Sequence, residues 1–211
     1  KFMVVCWLLM LALVSGLLLA HRNEWHRLEW LLKPAAAATF VTAGFLAGGI
    51  DTTFGRVMLA GLVLAAGGDV LLIPKNKRAF LAGIGAFLAG HVAYAIAFTL
   101  RGVDLSAALV CLGGLGLIAI PVLRWLWPHV ERPMRLPVVA YVIVITAMVA
   151  AAVGTALRTE AWLLLVGAAA FYLSDLSVAR DRFVASGFGN RLWGLPLYFF
   201  AQMLLASQAG R

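Results

Sequence analysis

The sequence predicts an all-α, polytopic integral membrane protein: one domain over residues 1–211, folded as a bundle of eight transmembrane helices. Three observations carry this. The chain is 64% hydrophobic and only 12% charged, with a mean hydropathy of +0.98. Apolar runs of about 18–23 residues recur from end to end, each long enough to cross a bilayer as a helix. The links between the runs are short, which argues for one compact bundle and against a soluble domain.

The runs can be taken in order. The first, Phe2–Ala20, lacks a small-residue cleavage pattern leading into a soluble chain, so it reads as a membrane helix and not a signal peptide. The second, Leu31–Ile50, opens on Lys33-Pro34, which puts Lys33 at its mouth. The third, Phe54–Ile73, closes on "GGDVLLIP" with Asp69 about one turn from its end. The fourth, Phe80–Leu100, carries His91 and, one turn further on the same face, Tyr94. The fifth, Leu105–Trp127, ends in tryptophans, and the sixth, Met134–Leu157, holds Tyr141 about two turns in. The seventh, Ala161–Ala179, places Ser174 and Asp175 where the third places Gly68 and Asp69. The eighth, Leu192–Ser207, carries Pro196, Tyr198 and Gln202. Proline removes a backbone donor and exposes a carbonyl one turn back, so a kinked, polar-lined wall is expected there.

Charge sets the orientation. Links one, three, five and seven carry twelve Lys/Arg: Arg22, Arg27, Lys33, Lys75, Lys77, Arg78, Arg124, Arg132, Arg135, Arg180, Arg182 and Arg191. The other side carries five: Lys1, Arg56, Arg101, Arg158 and Arg211. By the positive-inside rule the first set is cytoplasmic and both termini lie outside the cell (inner) membrane. The net charge of +8 is thus an orientation signal that also attracts lipid head groups, and no nucleic-acid partner is expected. Trp7, Trp25, Trp30, Trp125, Trp127, Trp162 and Trp193 sit near the inferred interfaces as anchors. The glycines of "GFLAGG" and "GIGAFLAG" read as close helix packing, and Cys6 and Cys111 as small apolar filler.

A few polar groups inside the spans remain. Asp69, Asp175, Tyr141 and Tyr198 come from four helices and share one depth near the cytoplasmic side; His91 lies deeper. An intramembrane carboxylate costs at least ~2.5–3.5 kcal/mol at mid-membrane, so it calls for a partner or a task. One acid alone could snorkel or pair with a loop base, as Asp69 could with Lys75 or Lys77. Two at matched depth behind small residues, Gly67-Gly68 and Ser174, favour a shared cavity with room for ligand or water. A weak internal repeat agrees. The two acids lie just over 100 residues apart, and "LLKPAAAATFV" and "MRLPVVAYVIV" open equivalent helices, suggesting two parallel four-helix halves meeting at a cleft.

The residues narrow the chemistry. A single intramembrane histidine leaves no ligand set for zinc, no Gly-x-Ser-x-Gly elbow occurs, and "AGGD" has Ala66 where an intramembrane aspartyl protease has its first glycine. Acid–base work by a carboxylate pair remains, since burial can leave one member protonated and the other ionised. The basic rim suggests an amphiphilic phosphate-bearing substrate. A proton- or substrate-coupled transporter, or a lipid-binding protein, would use the same acids. It should, however, spread its polar groups across the whole membrane depth.

With "KP" opening helix 2, "GDVLLIP" closing helix 3, "AFLAGHVAYAIAF" in helix 4 and "YLSDLSVARDRF" before Tyr198, the chain resembles the YhhN-like lysoplasmalogenases over nearly its whole length. The resemblance implies a hydrolase of lipid metabolism cleaving the vinyl ether bond of lysoplasmalogens, alkenyl lysophospholipids with an ethanolamine or choline head. The products would be a fatty aldehyde and the glycerophospho-head group. It implies no cofactor and no metal. Carried over residue by residue, Asp69, Asp175 and His91 would be catalytic. Lys33, Tyr94, Tyr141, Ser174, Arg182 and Tyr198 would hold the substrate, with Lys33 and Arg182 near its phosphate.

Overall fold

The computed structural model describes residues 1–74 and 76–211; Lys75, counted above among the basic residues, lies outside them. Among the described residues there are eight α-helices: α1 (Phe2–Arg22), α2 (His26–Leu46), α3 (Thr53–Leu71), α4 (Lys77–Arg101), α5 (Leu105–Leu126), α6 (Arg132–Thr159), α7 (Trp162–Ala179) and α8 (Phe188–Ser207). A 3-10 turn, Trp127–His129, follows α5, and a π turn, Arg180–Val184, follows α7.

The helix starts follow local chemistry. Thr52, Asn76 and Asp104 each accept a backbone N–H three residues on, from Gly55, Ala79 and Ala107, at 2.9, 2.9 and 3.0 Å. Such caps satisfy amide donors that the first turn leaves open. Inside the helices, buried residues fall in stripes: on α1 they are Cys6, Met10, Val14, Leu17 and Ala20, the spacing of one helical face. The opposite face presents Val4, Val5, Leu8 and Leu11 outward, as a lipid-facing surface should.

Among the described residues six helices are long and apolar enough to cross a membrane: α1, α3, α4, α5, α6 and α7, with α5 and α7 taken together with the turns that follow them. The chain is therefore a multi-pass membrane protein. The sequence predicts eight such spans, and α2 and α8 fall short of that measure. The reason is what they carry: Lys33, Thr39 and Thr42 in α2, and Asn190, Arg191, Tyr198 and Gln202 in α8. Of the two, α8 is shielded by neighbours, whereas α2 keeps Trp30, Leu31, Phe45 and Leu46 exposed. α8 packs on α7, α2, α1 and α3, and ten of its twenty residues are buried. A helix surrounded by protein needs less hydropathy than one facing lipid.

Sequential helices pair most extensively, α3 with α4 and α7 with α8 above all, while α4 also lies on α6. Glycines set some of these approaches: the ring of Tyr94 fills the space where a β-carbon of Gly61 would stand. The main core joins α1–α4 and α6–α8. A smaller cluster, Leu126, Val130, Met134 and Val138, sits where α5 meets α6, under Phe80 and Phe183.

Two helices begin earlier than the hydropathy suggests. α2 starts at His26 and α8 at Phe188, so their polar first turns are helical. Lys33 consequently lies two turns inside α2 instead of at its mouth.

Candidate active site

A cavity of about 560 Å³ opens at the end of the bundle that holds links one, three, five and seven. Its lining residues include Lys33, Asp69, Tyr141, Ser174, Asp175, Arg182 and Tyr198. All eight helices and the π turn contribute to it; the deepest residue, Ile145, is thirteen residues into α6. Phe87, Tyr141 and Tyr198 lie nine or ten residues from the starts of α4, α6 and α8, so they share one level.

The two acids have different company. Asp69 is almost closed off, its side chain 3% exposed; Lys33 Nζ stands 3.4 Å from its Oδ1, and the Tyr198 hydroxyl donates to its Oδ2 at 2.6 Å. Asp175 is more open to the cavity, at 16%. The Tyr141 hydroxyl donates to its Oδ2 at 2.7 Å, and His91 Nε2 lies 3.5 Å from the same oxygen.

His91 has a fixed tautomer. Its Nδ1 lies 2.6 Å from the Phe87 carbonyl, which can only accept, so Nδ1 carries the hydrogen. In the neutral ring Nε2 is then a bare acceptor facing Asp175. Among the described residues it has no hydrogen-bond partner within normal geometry, and the 3.5 Å approach exceeds the usual range of about 2.7–3.2 Å. A single proton shared between Asp175 and His91 would satisfy both.

Aromatic rings bind the two acid clusters into one unit. Phe171 packs on His91, with centroids 4.3 Å apart, and on Tyr198 at 5.4 Å. Phe87 packs on Phe171 and Tyr198 as well, at 6.2 and 5.8 Å. The Phe87 ring occupies the space of a β-carbon on Gly68. Gly68 thus makes room for the Phe87 ring, which packs on Phe171 and Tyr198, and not for a ligand; beside Gly67 the space is open.

Three sequence-derived candidates differ from expectation. His91 is fully buried and does not line the cavity; it stands behind Asp175. Tyr94 lies one turn beyond, fully buried, with its hydroxyl donating to Gln202 Oε1 at 2.7 Å, which leaves it no reach to a substrate. Lys33 is engaged with Asp69 and so is not a free head-group ligand. Ser174 lines the cavity, but its hydroxyl donates to the Phe171 carbonyl at 2.7 Å. Arg182 is exposed at the rim, its guanidinium 4.0 Å from the centre of the Phe80 ring. Among the described residues no carboxylate lies within ion-pair distance of it.

A polar chain of residues outside the sequence-derived candidates rings the mouth. Arg191 donates to His21 Nδ1 at 2.5 Å and lies 3.8 Å from Asp181, and His21 Nε2 lies 3.8 Å from Glu29. Asp181 also accepts from the Gly187 amide and Asn190 at 2.9 and 3.0 Å, and Arg180 donates to Asn190. These contacts tie α1, α2, the π turn and α8 together. The available signal was the run of polar residues at both ends of α7–α8 and α1–α2, which hydropathy alone assigns to loops.

Comparison with known proteins supplies a context for this geometry. A family model described as the YhhN family matches residues 28–209. A lysoplasmalogenase of Mycobacterium tuberculosis is 32% identical over 154 residues, covering 68% of this chain and 55% of its own length. The human lysoplasmalogenase TMEM86A is 30% identical over 209 residues, 96% of this chain and 72% of its own. The bovine lysoplasmalogenase TMEM86A is 32% identical over 160 residues, 72% and 64%. The chain thus matches little more than half the length of the mycobacterial relative. No solved structure matches it.

Proposed function

The chain belongs to the YhhN family, and from that premise we propose that it is a membrane-embedded hydrolase of the lysoplasmalogen vinyl ether bond, working by carboxylate acid–base catalysis. The observation that carries the reading is the pair of differently partnered acids on one cavity. Vinyl ether hydrolysis needs a proton delivered to the carbon β to the ether oxygen, giving an oxocarbenium ion. Water then adds, and the hemiacetal collapses to aldehyde and alcohol. The demanding step asks for a positioned acid and a nearby negative charge.

The two clusters supply one each. Asp175 and His91 hold a single proton between Oδ2 and Nε2, and Asp175, the more exposed acid, delivers it to carbon. Asp69, beside the Lys33 ammonium, remains the fixed anion facing the cation. Once Asp175 has given up its proton it accepts one from the attacking water, so the pair is reset and one water is consumed. Tyr141 and Tyr198 orient the two carboxylates, and Arg182 takes the head-group phosphate, where a planar guanidinium can bond two oxygens at once. The chemistry requires no cofactor.

The same reading extends to the frame. All eight helices cross the membrane as one domain, with the cavity mouth and the basic links cytoplasmic and both termini outside, in the cell (inner) membrane. The bundle is two parallel four-helix halves. What supports this is crosswise pairing: α4 lies on α6 as α8 lies on α2. Asp175 follows Asp69 by 106 residues, and Tyr198, which bonds Asp69, follows His91, which faces Asp175, by 107. A transporter would need a path through both halves of the membrane, and the cavity reaches no deeper than Ile145.

Incubation of the purified protein with a lysoplasmalogen, followed by assay of free aldehyde, tests the activity. Aldehyde release at the expense of substrate is expected; none from folded, lipid-binding protein would refute the reading.

A further inference from the structure

The cavity ends at mid-depth. Ile145 lies about 20 Å along α6 at ~1.5 Å per residue, and Tyr141, bonded to Asp175, is one turn above it. Only ~6 Å of cavity therefore lies beyond the acids. A hydrocarbon chain fills one leaflet, roughly half of a ~30 Å apolar core. A chain whose first carbons touch the carboxylates overruns the floor. That floor is closed, since Met148, almost one turn past Ile145, and Phe199, next after Tyr198, are fully buried.

The side wall is built otherwise. Val122 and Leu126, one turn apart on α5, line the cavity, and Phe183 of the π turn packs on the same small cluster. α5 buries only Ala119 and Leu126, and its principal helix neighbour is α6. Its far end is pinned: Asp104 caps it, and the Asp104 N–H donates to the Gly154 carbonyl at 2.9 Å. Between the pinned end and the cavity lie Gly113, Gly114 and Gly116, each with open space where a β-carbon would stand, and then Pro121. Glycines 61, 68, 154 and 167 differ, because each makes room for a neighbour at 3.0 Å or less. The α5 glycines serve no close approach. Together with a proline that removes a backbone bond, they leave the Gly113–Pro121 stretch of α5 loosely held, while Leu126 beyond it is fixed in the small cluster with Val130, Met134 and Val138.

We propose that the hydrocarbon chain of the substrate lies sideways, leaving the cavity for the lipid layer past Val122 of α5, and that α5 yields along its unpacked Gly113–Pro121 stretch to admit it. The inference rests on the single-chain lipid reading above. It gives the cavity two openings of different character: a charged mouth for the head group and an apolar side portal for the chain. It also means that chain length is not measured against a closed floor.

Val122→Trp narrows the portal and Ile145→Trp fills the floor; neither residue belongs to the acid–base machinery. Binding is measured with saturated-ether lysophospholipids, which lack the double bond to be protonated, carrying either a sixteen-carbon or a four-carbon chain. Hydrolysis is measured in parallel with the matching vinyl ethers. Val122→Trp should weaken binding of the long analogue about tenfold or more while leaving the short one within about twofold, and Ile145→Trp should show no such split. Retained binding of the short analogue also reports that each variant is folded. The opposite pattern, or equal effects on both chain lengths, overturns the portal. If the parent protein binds neither analogue, the portal falls with the lipid reading. If the length-dependent split appears but no aldehyde forms, the portal stands and the hydrolase reading alone fails.

Discussion

Asp69 and Asp175 occupy equivalent places at the ends of α3 and α7, yet their surroundings differ. Asp69 is shut in between a lysine ammonium and a tyrosine hydroxyl. Asp175 is open to the cavity, with a tyrosine on one side and a neutral-tautomer histidine behind. In the proposed mechanism the first arrangement fixes a charge and the second leaves a proton free to move. Two copies of one residue at one depth can therefore serve two roles, and the neighbours assign them.

Substitutions can break the contrast in order of expected size. Asp175→Asn removes the transferable proton, and loss of general acid catalysis should cost ~10²–10⁴ in kcat, with lysolipid binding retained. Asp69→Asn removes the charge that faces the cation, and should cost ~10²–10³, on the scale of deleting one preorganised electrostatic group. If Asp69→Asn proved mild and Lys33→Met alone severe, the lysine and not the anion would be the working group.

Stability sharpens the same comparison. Lys33→Met leaves a buried carboxylate unpaired and should destabilise by ~3–5 kcal/mol, read as a lowered unfolding temperature in detergent. Adding Asp69→Asn should recover most of that loss, because the uncompensated charge is then gone. No such coupling is expected between Lys33 and Asp175.

Smaller effects separate positioning from substrate contact. Tyr141→Phe removes one hydrogen bond to Asp175 and should lower kcat about tenfold, as expected for a bond to a charged group of ~1.5 kcal/mol. Arg182→Lys should raise KM several-fold with little change in kcat, since lysine cannot grip phosphate at two points. Tyr94→Phe should leave activity within about twofold, since its hydroxyl serves Gln202.

Much of this was legible in the sequence, for a physical reason. A membrane sequence is nearly all apolar, so every intramembrane polar residue stands out, and counting from helix ends gives its depth. That count brought Asp69, Asp175, Tyr141 and Tyr198 to one level, and all four line one cavity. Depth along a helix says nothing of its rotation. Tyr94 and His91 share a face of α4, yet one supports Asp175 and the other pairs away from the cavity. Hydropathy starts α2 at Leu31 and so puts Lys33 at a mouth, whereas the helix begins at His26 and carries the lysine inward. The Glu29–His21–Arg191–Asp181 chain was hidden likewise, in polar turns that hydropathy reads as loop. Nothing in composition distinguishes the unpacked glycines of α5 from those that seat a neighbouring side chain.

The most direct test of the central claim is hydrolysis of a lysoplasmalogen by the purified protein in heavy water, with prompt reduction of the aldehyde and mass analysis. Protonation of the vinyl ether carbon by an embedded carboxylate predicts one deuterium on the carbon next to the former carbonyl. It also predicts a slowed rate in heavy water, and loss of turnover in both Asp175→Asn and Asp69→Asn. Aldehyde without deuterium at that carbon, or full turnover in the two asparagine variants, would contradict it.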